Sequence, residues 1–289
     1  MDEGLPEKIK ERVAPQSRLD VERHVMSEYG AARKLLKDGF FKEALRKFKW
    51  VFANDSSPLF LMPTEIVKLT KNYPPAGAVI KRWRNDKERL VIAQKADRTL
   101  IRQWVTLNSC LGEKDRTSDV FLKLEAAGAA EELLHSILYH IWQRMARAKK
   151  YDQLRSYLPT LGFHLLLHAV EYDSAMLFPG HGKMTKQQLR EDIKMNKDYL
   201  LKYGPISYEV ALGVGENHVA SEFAKKILAL ETSDRVYASL INGAIRARAY
   251  PEAAAMFNEA KEKFSLRRLR NSSKALKAMP KSQLARVCP

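Results

Sequence analysis

Gly39-Phe40-Phe41-Lys42-Glu43-Ala44-Leu45-Arg46-Lys47-Phe48 and Arg248-Ala249-Tyr250-Pro251-Glu252-Ala253-Ala254-Ala255-Met256-Phe257 carry one pattern twice. Each opens on a turn, places an aromatic residue two positions on, then Glu-Ala, then Phe four after the Ala. A small residue lets two helices approach closely. An aromatic one turn later lies on the same face and fills the space beside that approach. The pattern describes the second helix of a helical hairpin, near each end of the chain.

Working outward, nearly every segment between breakers has apolar residues three and four apart, as in Ala31, Leu35 and Leu36, then Ala44, Leu45, Phe48, Val51 and Phe52. No sustained period-two alternation occurs, and Asp38-Gly39 leads into helical spacing rather than a β-branched run. The chain reads as all-α. Breakers centre near residues 39, 75, 112, 149, 181, 215 and 248, at intervals of 32 to 37 residues. Spacing of that size is the signature of stacked helix pairs. It predicts about seven antiparallel pairs in one α-solenoid over residues 17–264, the first made of helices at about 18–37 and 41–53, the last at about 234–247 and 251–264. Residues 1–16 form a polar lead-in and 265–289 a basic tail or capping helix. Pro159 is expected to interrupt the fourth pair, and Thr185-Lys186-Gln187-Gln188 to open a long helix with a capping box.

Gly39, Phe41, Ala44 and Phe48, and again Tyr250, Ala253, Phe257 and Ala260, resemble the second half of a tetratricopeptide repeat. The run Val236-Tyr237-Ala238-Ser239-Leu240-Ile241-Asn242-Gly243, followed by Glu252-Ala253 and Phe257, is similar to the pentatricopeptide repeat, its RNA-binding relative. The first half, with Trp50 in a second helix and Tyr73-Pro74-Pro75 opening the next, resembles bacterial tetratricopeptide-like proteins. The resemblance covers about 65 residues and implies a right-handed superhelix that recognises partners non-covalently in a concave groove.

With 289 residues, 45% hydrophobic and 29% charged, the chain is long enough for a sizeable core, which excludes a disordered, collagenous or disulfide-stapled protein. Cys110 and Cys288 match no metal or redox spacing. No run reaches the roughly 18 apolar residues of a membrane span, and the first 16 residues lack a signal peptide's apolar core. A cytoplasmic protein without a membrane partner is expected.

Motifs for chemistry fail on their residue types. Gly180-His181-Gly182-Lys183-Met184-Thr185 lacks a P-loop's first Gly, which would fall at Leu177, and Met184 stands where a hydroxyl is required. His164, His168 and Glu171 can share a helix face, yet Leu165, Leu166 and Leu167 between the histidines point to a packed helix rather than a metal site. Cys110 reads as a small buried filler, and Trp50, Trp83, Trp104 and Trp142 as core rather than base-stacking platforms. No cofactor is implied, and a non-enzymatic role is expected.

The charge carries the functional reading. Fifty Lys and Arg against 34 Asp and Glu leave +16, with a surplus of 8 over residues 21–100. Residues 265–289 hold seven basic residues and no acid. In a solenoid the first helices line the groove, placing Arg33, Lys37, Arg102, Arg144, Asn242 and Arg246 there as candidates to grip an acidic or extended segment of a partner protein. The second reading is sequence-tolerant RNA or DNA binding by the groove with Arg267, Arg268, Arg270, Lys274 and Lys277 of the tail. The specific modes of both families are interrupted. Ala238 stands at the pentatricopeptide base-reading position, and Arg33 stands where a tetratricopeptide carboxylate clamp pairs with Asn242.

Overall fold

A computed structural model describes residues 18–54, 62–178 and 185–265. Among them the chain forms twelve α-helices, one 3-10 turn and no strand. Two compact units divide it, residues 1–140 and 141–289. The first holds α1 (Arg18–Lys37), α2 (Phe41–Asn54), α3 (Met62–Asn72), α4 (Pro74–Ile92), α5 (Arg98–Cys110) and α6 (Lys114–Ala126). The boundary falls in α7 (Glu131–Arg147), and the second unit continues with the 3-10 turn Asp152–Tyr157 and α8 (Leu158–Leu177), α9 (Lys186–Gly213), α10 (Asn217–Leu230), α11 (Asp234–Arg246) and α12 (Tyr250–Lys263).

The expected first and last hairpins are present as α1–α2 and α11–α12. Ala44, Phe48 and Ala253 have no exposed surface, and Phe257 is half-buried. In the first unit Val25, Tyr29 and Ala32 of α1 meet Ala44, Phe48 and Phe52 of α2, joined by Ile66 and Leu69 of α3 and Ile80 of α4 in one apolar core. In this unit α3 packs on both α4 and α5, and in the second α9 packs on α8, α10 and α11.

The turns explain the spacing. Gly39, Gln94, Gly112, Gly128, Lys149, Gly215 and Arg248 all have φ between 54° and 85°. After each, the next N–H reaches back five residues: Phe40 to the Leu35 carbonyl, Glu113 to Asn108, Lys150 to Met145, Glu216 to Ala211 and Ala249 to Ala244, at 2.8–2.9 Å. This is the Schellman ending, in which a left-handed residue closes the last helical turn. Five of the seven positions are the sequence-derived centres 39, 112, 149, 215 and 248.

The count of seven pairs is corrected, since fourteen helices would be needed and twelve are formed among the described residues. Between centres 149 and 215 the described residues form the 3-10 turn and two long helices, α8 of 20 residues and α9 of 28. Thr185 caps α9 as expected: its hydroxyl accepts from the Gln188 N–H and the Gln188 side chain accepts from the Thr185 N–H. The helix then runs through Gly204-Pro205, both buried, where a Cβ on Gly204 would stand 2.7 Å from the Ile227 side chain. Close packing on α10 holds the proline inside the helix despite its missing donor. Pro159, for its part, lies in the first turn of α8, where a proline costs little.

Candidate functional site

The cationic candidates are placed first by what they touch. Arg33, exposed on α1, sets Nε 3.2 Å from Oε1 of the nearly buried Glu65. Arg246 on α11 donates from Nε and Nη2 to Oε2 of Glu209, at 2.9 and 2.6 Å. Lys37, Arg144 and Arg246 each stand in the last turn of their helices, where a cation complements the negative end of the helix dipole. Arg102 is half-buried on α5; burial, then the charge of Arg102, pulls His140 down to about 4. Asn242 is half-buried on α11. The structure thus gives Arg33 and Arg246 carboxylate partners within the chain. Arg33, Lys37 and Arg102 belong to the first unit, and Arg144, Asn242 and Arg246 to the second. Arg267, Arg268, Arg270, Lys274 and Lys277 lie outside the described residues.

Two buried polar networks went unread in the sequence. In the first unit the fully buried Arg84 of α4 donates from Nη1 to Asn108 Oδ1 at 2.8 Å and to Glu113 Oε2 at 2.6 Å, and Asn108 donates to Thr117 Oγ1 at 3.1 Å. One turn on, Glu88 accepts from Arg116 at 2.6 and 2.7 Å and from the Trp104 indole at 3.1 Å. The Arg84 bond holds Glu113 below the usual carboxylate range. Burial raises Glu88, but its bonds from Arg116 and Trp104 outweigh that and leave it lowered too. Both are ionised, paired acceptors, and they fasten α4, α5 and α6 together. The signal was in the register: Ala76, Ile80, Arg84, Glu88 and Val91 form one buried stripe of α4, so two charges occupy core positions. In the second unit the Tyr151 hydroxyl donates to Glu209 Oε1 at 2.9 Å, completing the Arg246 pair.

His168 is engaged by side chains of α9. Its Nδ1 lies 2.7 Å from Oδ1 of the buried Asn196, an atom that only accepts, and its ring stacks on Tyr199 at 3.7 Å between centroids. Burial and the neighbouring His168 lower His164. No three His, Cys, Asp or Glu gather in metal-binding geometry among the described residues. Cys110 is buried, and burial pushes its thiol up to about 11, the state of an inert filler. Trp104 and Trp142 are core residues; Trp83 stacks on Phe52 and Trp50 meets His24 edge-on.

The surface that stands out lies on α8. Its buried side chains are Leu158, Leu161 and Leu165, all in its first half. Phe163 is 62% exposed, Leu166 47%, Leu167 41%, Val170 52% and Leu177 71%. At 100° per residue these five share one face of about 100°. The reading of Leu165–Leu167 as a packed run is therefore corrected, because Leu165 packs inward while Leu166 and Leu167 meet solvent. A helix apolar all round is ordinarily enclosed all round. Here α9 covers one side of α8, and along α9 the first buried residue is Asn196. α8 contains no Lys or Arg; its acids are Glu171 and Asp173, and its only other ionisable bases are His164 and His168.

Comparison with known proteins finds no match: no family model, no curated protein and no solved structure aligns with the chain. No described helix is long and apolar enough to cross a membrane.

Proposed function

We propose that the chain is a non-enzymatic protein-interaction scaffold built from tetratricopeptide-like helix pairs, and that it takes its partner on the exposed apolar face of α8. The face itself carries this reading. An apolar patch of several hundred Å2 is about the largest that a typical chain exposes, and such a patch is often where a partner binds. The contacts of α3 with α5 and of α9 with α11, alternate helices in the chain, support stacked pairs within each unit. The Ala44–Phe48 packing supports the same pairing. Weight moves from the cationic groove to α8 because Arg33 and Arg246 already hold carboxylates of their own chain.

Photocrosslinking tests this directly. A photoreactive residue replaces Leu177 on α8 or, as a control, the exposed Met26 of α1, in cells that produce the protein. Protein adducts from position 177 well above those from position 26 are expected. Equal adducts at both, or adducts to nucleic acid alone, would overturn the reading and favour the RNA- or DNA-binding alternative.

A further inference from the structure

Resting on that interaction reading, we infer that the occupant of the α8 face is a second copy of this chain, paired through α8 about a twofold axis. Three observations converge on a copy.

The first is area. Phe163, Leu166, Leu167, Val170 and Leu177 leave on the order of 500 Å2 uncovered, taking about 200 Å2 for a fully exposed large side chain. Apolar atoms make up about 60% of a typical interface. The face therefore matches a contact of about 800 Å2 per partner, the share each copy buries in a stable dimer.

The second is spacing. The exposed positions follow one another by three, one, three and seven residues, so the seam facing a straight neighbouring helix is apolar from Phe163 to Val170 and resumes at Leu177 beyond Ser174. Two such seams meet in antiparallel fashion when the axis passes near the middle of the helix, close to Val170. The same patch then serves on both subunits, as a closed dimer requires.

The third is charge. A chain carrying +16 repels its own copies over most of its surface, so self-association needs a place where the surplus is missing. Over its 20 residues α8 has no Lys or Arg. Its acids, Glu171 and Asp173, sit in the C-terminal half. About an axis near Val170 they come opposite Ala169 and Leu167 of the other copy, in mid-helix, so what favours the pairing is the missing Lys and Arg rather than these two acids. A cationic partner helix would find only these two acids.

Sedimentation velocity on the full chain, over a range of concentrations, decides the question. The wild type is expected at twice 33.1 kDa. Val170→Glu sets two like charges against each other at the axis and should raise the dissociation constant about 100-fold or more. Met26→Glu on α1 should leave it unchanged. Far-UV circular dichroism checks that the variants stay helical; if Val170→Glu does not, Leu177→Glu, at the most exposed position of the face, takes its place. A wild type that stays at 33.1 kDa to its solubility limit overturns the inference, as does a dimer indifferent to these charges. A monomer that still crosslinks another protein from position 177 sinks the second copy and keeps the interaction reading. A monomer without adducts sinks both.

Discussion

Arg246 holds Glu209 by two hydrogen bonds to one oxygen, Oε2, at 2.9 and 2.6 Å, while the other oxygen accepts from Tyr151. Glu209 is 3% exposed and Arg246 46%, so the acid depends on its partners more than they depend on it. Glu209→Ala strands a half-buried tyrosine hydroxyl and a guanidinium at once. A loss of about 3 kcal/mol is expected, towards the low end for a broken buried pair because Arg246 can turn to water. Urea denaturation measures it, and a double-mutant cycle with Arg246→Met isolates the pair. Near-additive single changes would mean that the two residues act independently.

The left-handed turns supply an opposite prediction, in which changes remote from any contact add stability. Lys149 and Arg248 adopt φ of 58° and 62°, a region that burdens any residue with a Cβ, whereas Gly39 and Gly215 occupy equivalent turns without that burden. Lys149→Gly and Arg248→Gly should each stabilise by about 0.5–1 kcal/mol, the relief outweighing glycine's extra freedom in the unfolded chain. Gly39→Ala should destabilise by about 1 kcal/mol, since nothing lies within 4 Å of its would-be Cβ and only the backbone objects. Thermal melts that rank these variants in the opposite order would refute the argument.

The same turns show how far the sequence could be read. Residues 39, 112 and 215 are glycines in place for a helix ending, and 149 and 248 were reached through their neighbours Tyr151-Asp152 and Tyr250-Pro251. Gln94 carries no such mark, so the α4–α5 turn went unseen although its backbone is the same. The helix count failed over α8 and α9 because breakers report where a helix can stop, and packing decides whether it does. The α8 face escaped for a related reason: composition shows that Leu166 and Leu167 are apolar, but only the packing of the described helices shows that they are left partly exposed. Arg84 and Glu88 lie in register with Ala76, Ile80 and Val91 of α4, but residue type alone does not tell a buried, paired charge from an exposed one.

Acid should loosen the first unit. The pKa values of Glu88 and Glu113 are lowered in the folded state, so they contribute stability that is fully present above the unfolded carboxylate value, about 4.3, and is lost as pH falls through their folded values. Trp104 donates its indole N–H to Glu88, so in a variant with Trp50, Trp83 and Trp142 replaced by Phe its fluorescence reports on this site. Glu88→Gln should be less stable at neutral pH, having lost the charge that holds Arg116, and its stability should vary less between pH 5 and pH 2 (about the range over which a paired carboxylate titrates). Identical acid profiles for the variant and the wild type would show that Glu88 is not among the groups whose protonation loosens the unit.

Enlarging the two small residues of the repeated pattern tests the pairing that underlies the fold. Ala44 and Ala253 are both wholly buried, each in the second helix of its hairpin, and Leu at either position adds three carbons where the neighbouring helix already lies. Overpacking of this kind costs about 1–3 kcal/mol. The two sites should differ. Phe48, one turn after Ala44, has no exposed surface and no room to move aside, whereas Phe257, one turn after Ala253, is half-buried and can shift towards solvent. Ala44→Leu is therefore expected near the upper end of the range and Ala253→Leu near the lower, each read as a fall in the urea midpoint at constant slope. If both substitutions left the midpoint in place, the helices would not meet at these residues.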